Sequence, residues 1–341
     1  MKTKIYKNPT REELEILAEI IKEDELVAIP TETVYGLGAN GLSEKAVKKV
    51  YVAKGRPSDN PLILHVADQK EIIPLVASIS PTAKKLMDRF WPGSLTLLFP
   101  KSELISKTVT GGLDTVAIRC PDQPLTRELI RLAEVPLAAP SANRSGRPSP
   151  TTAEDVFQDM DGRIPAILDG GACQVGLEST VVEVGDDEVT ILRPGCVTEE
   201  MLLSVVSKVQ MDAALQGENV APKAPGMKYK HYAPKGSLEV LVGDPSKVVE
   251  AVIDRIAKKS FVGLLVSERV ASELKTMEGQ NLHIITYADV EDLSHKLYES
   301  LLLFDREEIP NLLVEGVLSE GLGVAVMNRL EKASSHHITV L

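Results

Sequence analysis

Two segments of the chain carry residue types that could bind an anion. The first, Lys54-Gly55-Arg56-Pro57, holds two cations one residue apart, and Asn60 follows it. The second, Ser141-Ala142-Asn143, directly follows the apolar run 135–140 and supplies a hydroxyl and an amide. Lysine provides a point charge and arginine a planar fork of donors, which together suit phosphate oxygens. Because binding residues are often carried on loops held by rigid strands, these segments predict a site for a polyanion and a small polar ligand.

Two further candidates follow or lie within short apolar strands. Thr33 belongs to the segment 31–36, Thr-Glu-Thr-Val-Tyr-Gly, which comes directly after the predicted strand 26–29. A glycine there lets the backbone approach a ligand. His65 alternates with apolar residues in the predicted strand 62–66. The segment around Thr33 could instead be a tight turn, His65 a core histidine, and Lys54 with Arg56 simply cations at a helix end.

Arginines and small hydroxyls complete the candidate set. Arg119 ends a predicted strand that begins at Thr115, so it could hold a carboxylate through two hydrogen bonds or form a surface salt bridge. Ser149 and Ser179 add hydroxyls, and Arg193 adds a cation after a predicted hairpin. Such residues catalyse by positioning a substrate and by stabilising charge on a phosphate.

The charge balance argues against a broad nucleic-acid surface. The formal net charge is −11, so attraction of an anion has to be local. Basic residues do cluster, and for most such runs a solvated face is the simplest interpretation. The first cluster is Lys45, Lys48, Lys49, Lys54 and Arg56, and the second is Lys223, Lys228, Lys230 and Lys235 with His231 among them.

Several familiar chemistries have no motif in this sequence. The chain lacks a Gly-x-x-x-x-Gly-Lys-Ser/Thr phosphate loop, a Gly-x-Ser-x-Gly nucleophile elbow and zinc-type Cys/His spacing. Its three cysteines, Cys120, Cys173 and Cys196, are far apart and predict neither a disulfide framework nor a nucleophile. We expect a reduced, cytoplasmic setting, because neither a secretory signal nor an apolar run of about 20 residues is visible.

The pattern of elements predicts two domains. Residues 1–208 mix helices and strands without strict alternation, which favours an α/β or α+β domain with a twisted mixed sheet. Residues 209–237 are rich in proline, glycine and lysine and are predicted to be a linker. Residues 238–341 alternate strand and helix strictly, which predicts a small parallel-sheet domain with right-handed crossovers.

Several motifs in the same order resemble one family over the whole length of the chain. The chain resembles threonylcarbamoyl-adenylate synthases of the two-domain form, with a YrdC-like catalytic domain and a Rossmann-like C-terminal domain. The matching segments are Pro-Thr-Glu-Thr-Val-Tyr-Gly-Leu-Gly (30–38), Lys-Gly-Arg-Pro (54–57), Asn-Pro-Leu (60–62), Trp-Pro-Gly (91–93), Pro-Ser-Ala-Asn (140–143), Ser-Thr (179–180), Arg-Pro-Gly (193–195) and the stretch 225–234.

The resemblance implies a reaction and a set of contacts. L-threonine, bicarbonate or CO2, and ATP would give threonylcarbamoyl-AMP and pyrophosphate, with Mg²⁺ on the phosphates. The product would pass to the machinery that modifies adenosine 37 of tRNA. The residues implied to contact threonine are Thr33, His65, Arg119, Ala139 and Ser179. Those implied to contact ATP are Arg56, Asn60, Thr115, Ser141, Ser149, Arg193 and Tyr232, and the family's catalytic signature corresponds to Lys54, Arg56, Ser141 and Asn143.

Two further hypotheses concern the linker and other functions. The basic stretch 223–235 suits a lid over the triphosphate that excludes water from labile intermediates. A double-stranded RNA- or tRNA-binding module remains an alternative, although the charge and the 4% aromatic content disfavour it. A carbamoyltransferase of hydrogenase maturation is another, although this chain lacks the zinc fingers of that class.

Overall fold

The chain forms two compact units in a computed structural model that describes residues 2–216, 231–259, 261–274 and 282–341. The first unit comprises residues 1–145 and 149–229, and the second comprises 146–148 and 230–341. Each unit has a sheet of its own.

The first unit is built on an eleven-stranded sheet. Its strands are β1 (Lys4–Lys7), β2 (Val27–Ile29), β3 (Gly36–Asn40), β4 (Ile63–His65), β5 (Leu95–Pro100), β6 (Thr115–Arg119), β7 (Leu137–Ala138), β8 (Ala166–Asp169), β9 (Thr180–Val184), β10 (Glu188–Arg193) and β11 (Lys208–Met211). Their order is β1-β8-β2-β3-β7-β4-β6-β5-β9-β10-β11, with parallel and antiparallel pairs mixed. The predicted mixed-sheet fold class is therefore confirmed.

Helices connect these strands. They are α1 (Arg11–Lys22), α2 (Glu44–Lys54), α3 (Pro81–Phe90), α4 (Lys107–Thr110), α5 (Pro124–Ala133), α6 (Ala153–Met160) and α7 (Glu199–Leu203), with 3₁₀ turns at Gln69–Leu75 and Ala213–Gln216. Local sequence explains where the longer ones begin. Thr10 and Glu13 form a reciprocal capping box before α1, and Ser43 caps α2.

Several segments of the first unit differ from the sequence-based expectation. β1 was not predicted; it pairs in parallel with β8, with Lys4 opposite Ala166. Residues 36–40, whose glycines suggested a turn, form β3 and pair antiparallel with β2. The predicted helix 198–208 is wrong in its second half, because α7 ends at Leu203 and β11 pairs with β10 in parallel. β11 also occupies the start of the predicted linker.

The second unit contains a five-stranded sheet whose pairs are all parallel, as the alternating pattern predicted. Its strands are β12 (Ser237–Val242), β13 (Val262–Ser267), β14 (Leu282–Tyr287), β15 (Asn311–Glu315) and β16 (Ile338–Val340), in the order β14-β13-β15-β12-β16. Its helices are α8 (Pro245–Ile256), α9 (Glu268–Leu274), α10 (Val290–Arg306) and α11 (Leu322–Ala333). Strand β16 was not predicted.

Candidate active site

Arg119 lies at the centre of a buried hydrogen-bond cluster. Register places it opposite His65 on the neighbouring parallel strand β4. Its Nη1 donates to Thr33 Oγ1 at 2.7 Å, and its Nε donates to the carbonyl oxygen of Gly93 at 3.1 Å. The structure thus brings together Thr33, His65 and Arg119, three residues implied to contact threonine. The alternative of a surface salt bridge for Arg119 is wrong, because the residue is only 3% exposed.

Arg119 has a buried ion-pair partner, Glu32, at 2.6 Å from Nη2 to Oε1. Ser94 Oγ also donates to Oε1, and the backbone N–H of Asp122 donates to Oε2. Burial acts to raise the pKa of Glu32, but the charge and hydrogen bond of Arg119 outweigh it, so the pKa lies below its usual range. Glu32 is therefore ionised beside Arg119 at neutral pH.

His65 is held neutral at the same site. Its Nδ1 lies 3.2 Å from the carbonyl oxygen of Ile63. Burial, followed by the nearby charge of Arg119, lowers its pKa to about 3. A neutral ring can donate from one nitrogen and accept at the other, which suits contact with a polar ligand beside a cation.

The low pKa of His65 makes folding stability depend on pH. Between its folded pKa and the ordinary value near 6.5, the unfolded chain binds more protons, so the free energy of unfolding falls as pH falls. We expect a loss of roughly 2–3 kcal/mol between pH 6.5 and 4 that His65→Gln largely removes. Denaturant unfolding followed by the fluorescence of Trp91, the chain's one tryptophan, measures the first unit. An equal slope in His65→Gln would contradict the assignment.

Lys54 fastens the loop that contains Ser141 and Asn143. Its buried Nζ donates to the carbonyl oxygens of both residues, at 2.5 Å and 2.6 Å respectively. The N–H of Ser145 donates back to the carbonyl oxygen of Lys54 at 2.9 Å. Burial, with Arg56 as the next cause, lowers the pKa of Lys54 well below its usual value. Three of the four residues of the implied catalytic signature, Lys54, Ser141 and Asn143, are therefore in direct contact.

Pairing of backbone segments joins this loop to the segment that carries Thr33. Gly36 and Ser141 form an antiparallel bridge. The N–H of Leu37 donates to the carbonyl oxygen of Pro140, and the N–H of Ala142 donates to that of Tyr35. The two candidate segments, far apart in sequence, therefore lie side by side. Ala139 enters this region directly after β7 and donates its N–H to Ile63.

The side chain of Asn60 is buried with an unsatisfied donor. It is 1% exposed, and its Nδ2 has no hydrogen-bond partner within the described part of the chain. Buried amide groups are nearly always paired, so an orphaned one at a candidate site points to a ligand. Arg56 Nη2 donates to the carbonyl oxygen of Pro61, next in sequence to Asn60, at 3.3 Å. Thr115 begins β6 and lies on the same face of the strand as Arg119.

A third group of site residues surrounds Ser179. Its Oγ lies 2.7 Å from Thr96 Oγ1, and Arg193 donates to both its carbonyl oxygen and its Oγ. Thr180, the next residue, donates its N–H to the carbonyl oxygen of Ser94, whose hydroxyl holds Glu32. A Cβ added at Gly195 would lie 2.4 Å from Thr180 N, so only glycine allows this close approach.

The remaining implied residues are placed as follows. Ser149 is fully buried and donates to Glu178 Oε1 at 2.5 Å. Tyr232 belongs to the second unit, where it stacks on Tyr298 with ring centroids 5.4 Å apart and lies under Arg329. Lys223, Lys228 and Lys230 of the second basic cluster lie outside the described residues, as does most of the predicted lid.

The first basic cluster divides into two parts. Lys45, Lys48 and Lys49 on α2 pair with the acids Asp24, Glu44 and Glu25. They therefore belong to a solvated face and give no local field for an anion. Lys54, by contrast, is 4% exposed and points into the candidate site.

All three cysteines lie in surroundings that disfavour the thiolate. Burial raises the pKa of Cys120 to about 11 and that of Cys173 to about 12, and it raises that of Cys196 as well. A thiol with a raised pKa is protonated at neutral pH and unreactive.

Four polar residues of the site were not assigned from the sequence. Glu32 was visible as a carboxylate in its segment, but its pairing with Arg119 links positions 87 apart and leaves no local signal. Ser94, Thr96 and Glu178 likewise act through partners distant in the chain. The one signal available in the sequence was the carboxylate of Glu32, which lies between two threonines in an apolar context.

Comparison with known proteins is consistent across sequence and structure. A family model described as "Telomere recombination" matches residues 19–195, and a second, described as "Threonylcarbamoyl-AMP synthase, C-terminal domain", matches residues 197–335. The threonylcarbamoyl-AMP synthase of Bacillus subtilis is 45% identical over 94% of this chain and 92% of its own length. That of Pyrococcus abyssi is 45% identical, over 95% of each chain.

A solved structure agrees over both units. The crystal structure of P. abyssi Sua5 complexed with L-threonine superposes with a TM-score of 0.93, is 42% identical, and covers 99% of this chain and 100% of that one. Together with the family models and the relatives, it shows that the chain belongs to the threonylcarbamoyl-AMP synthase family.

Proposed function

We propose that this protein is an ATP-dependent nucleotidyltransferase that converts L-threonine, bicarbonate or CO2, and ATP to threonylcarbamoyl-AMP and pyrophosphate. The observation that carries the proposal is the buried cluster of Arg119, Thr33 and His65 beside the Lys54-held loop. The Arg119 cluster suits an amino acid, and the loop held by Lys54 suits phosphates. The threonine bound in the P. abyssi structure supports the first assignment.

Threonine is proposed to bind through Arg119. The guanidinium holds the carboxylate, and Thr33, His65, Ala139 and Ser179 line the rest of the amino-acid site. ATP is proposed to contact Arg56, Asn60, Thr115, Ser141, Ser149, Arg193 and Tyr232. Asn60, whose buried amide nitrogen has no partner among the described residues, gives this second set its strongest support.

The chemistry proceeds without a protein nucleophile. Threonine binds as a zwitterion, and its ammonium group then loses a proton to solvent. The neutral amine attacks the carbon of CO2, and loss of a second proton to solvent leaves the carbamate. A carbamate oxygen then attacks the α-phosphorus of ATP, and pyrophosphate leaves with the electrons of the broken P–O bond. Both steps need orientation and neutralised oxygens. Arg56 supplies charge directly, while Lys54 acts mainly by holding the carbonyls of Ser141 and Asn143.

Mg²⁺ is proposed to enter as part of the substrate, MgATP. Within the described ranges, no group of three or more His, Cys, Asp or Glu residues is placed to hold a metal ion. The buried carboxylates of Glu32 and Glu178 already accept hydrogen bonds from protein donors. Magnesium is commonly held by phosphate oxygens and water with little help from the protein.

The test of this function is ATP–pyrophosphate exchange. We expect exchange that requires threonine and bicarbonate together, and threonylcarbamoyl-AMP as the product detected by mass spectrometry. Exchange that proceeds without either substrate would reject the proposal.

We further propose that the protein works in the cytoplasm and passes its product to the tRNA threonylcarbamoyl-transfer machinery. Among the described helices, none is both long and apolar enough to cross a membrane.

The division into domains and the basic linker also bear on the proposed function. We propose a catalytic domain, a linker that covers the bound triphosphate, and a C-terminal domain that anchors the linker. Because β11 ends at Met211 and belongs to the large sheet, the proper truncation ends at residue 216 and not at 208. We expect this truncated chain to fold, as shown by Trp91 fluorescence, and to lose most product yield. Full-rate product formation by the folded truncation would reject the lid.

A further inference from the structure

The pair formed by Glu32 and Arg119 is electrically neutral and buried. Their side chains are 7% and 4% exposed, and the ion pair measures 2.6 Å. Two opposite charges in contact cancel at a short distance, so this part of the site presents a strong dipole and no net charge. A lone arginine in the same place would instead present a full positive charge.

Glu32 is fixed in position as well as ionised. Its Oε1 lies 2.6 Å from Arg119 Nη2 and accepts from Ser94 Oγ at 3.2 Å, and its Oε2 accepts from the N–H of Asp122 at 3.1 Å. Its pKa lies below the usual range despite burial. Such a carboxylate does not move aside or take up a proton when a ligand arrives.

Arg119 keeps part of its donor capacity. Its hydrogen bonds to Gly93 and Thr33 use two of the five guanidinium N–H groups, and its Nη2 lies against Glu32. Among the described residues, no hydrogen-bond acceptor is recorded for the Nη2 amino group, so it keeps N–H capacity for a ligand carboxylate. Glu32 orients the guanidinium group of Arg119, because it lies in contact with Nη2.

We infer that Glu32 is a positioning and specificity-determining residue, which makes the amino-acid site select a zwitterion over an anion of the same shape. The inference rests on the proposed binding of the threonine carboxylate by Arg119. A zwitterion adds no net charge to the neutral pair. An anion would leave one uncompensated buried negative charge, which is costly in a medium of low polarity. Repulsion by Glu32 thus acts against the wrong ligand.

The test compares two ligands in the full-length protein by titration calorimetry without ATP. The first is L-threonine, and the second is 2,3-dihydroxybutyrate, in which a hydroxyl replaces the ammonium group. The wild type should bind threonine at least about 100-fold more tightly than the anion. Glu32→Gln should weaken threonine binding at least about tenfold and bring the two affinities within about threefold. Glu32→Gln that keeps the wild-type preference overturns the inference.

Two controls separate charge from general damage. Glu71→Gln alters another partly buried carboxylate, one that accepts from the N–H of Ala67, and should leave both affinities unchanged. Ser94→Ala keeps both charges, so it should weaken threonine binding only a few-fold and retain the preference. Loss of the preference in Ser94→Ala would favour a purely geometric role and overturn the charge argument.

The wild-type measurements make the outcome decisive even if Glu32→Gln fails to fold. Equal wild-type affinities for threonine and 2,3-dihydroxybutyrate would overturn the inference without any variant. Wild-type protein that binds neither ligand would overturn the proposed amino-acid site itself. These failures are distinguishable, because only the second also predicts loss of threonine-dependent pyrophosphate exchange.

Discussion

Replacement of Arg119 by alanine is expected to raise the KM for threonine by about 100-fold and to change the KM for ATP by less than about threefold. Two charge-assisted hydrogen bonds to a carboxylate account for an effect of this size. Steady-state rates of pyrophosphate release, measured with each substrate varied in turn, give both constants. Equal effects on the two constants would remove Arg119 from the threonine site.

Arg119→Ala also leaves the buried Glu32 without its cation, so the free energy of unfolding should fall. A second variant, Arg119→Lys, keeps the charge and loses the fork. It should recover stability more than it recovers threonine binding. Arg127 provides a matched control, because it is a partly buried arginine whose Nε donates to the carbonyl oxygen of Ala67. Arg127→Ala should leave the KM for threonine near its wild-type value.

Replacement of Lys54 by methionine is expected to lower kcat/KM for ATP by about 100-fold. Methionine fills similar space and has no donor, so the carbonyl oxygens of Ser141 and Asn143 lose their shared partner in a buried setting. Each unsatisfied carbonyl costs about 1–3 kcal/mol, and the loop should shift to find other partners. Pyrophosphate release measures the rate, and hydrogen exchange of residues 141–145 measures the loosening of the loop.

Lys49 is the control for this substitution, because it lies on the same helix and pairs with Glu25 at the surface. A surface pair contributes at most about 1 kcal/mol, so Lys49→Met should retain near-normal kinetics. If Lys54→Met reduced activity while exchange in residues 141–145 stayed at the wild-type rate, Lys54 would act on the phosphates directly. Normal activity in Lys54→Met would reject both roles.

Sequence reasoning located most elements whose pattern is local. Helices α1, α2 and α3 begin at hydroxyl caps that are legible in the sequence. Strands β3 and β11 were missed for different reasons. β3 carries two glycines that resemble a turn, and β11 is a short edge strand with alternating exposure that is separated from the end of α7 by four residues. Whether such a segment forms a strand depends on its pairing with another strand, and not on the intrinsic propensity of its residues.

The candidate site shows the same division. Residue type and resemblance indicated Arg119, His65 and Lys54 as site residues. The structure adds the contacts that fix each side chain. The partners could not be predicted, because Glu32 meets Arg119, and Lys54 meets Asn143, only through the order of the sheet. The sequence also suggested that Lys54 faces phosphate, whereas two of its donors are directed to backbone carbonyl oxygens.

The pairing of β1 with β8 has a consequence for synthesis on the ribosome. Lys4 is made 162 residues before its partner Ala166. At about 5–20 residues per second, the N-terminal strand waits roughly 10–30 s with its edge unpaired. During that interval, a complementary strand from another nascent chain could bind it. The two charged residues of β1, Lys4 and Lys7, are both exposed and would discourage such pairing until β8 arrives.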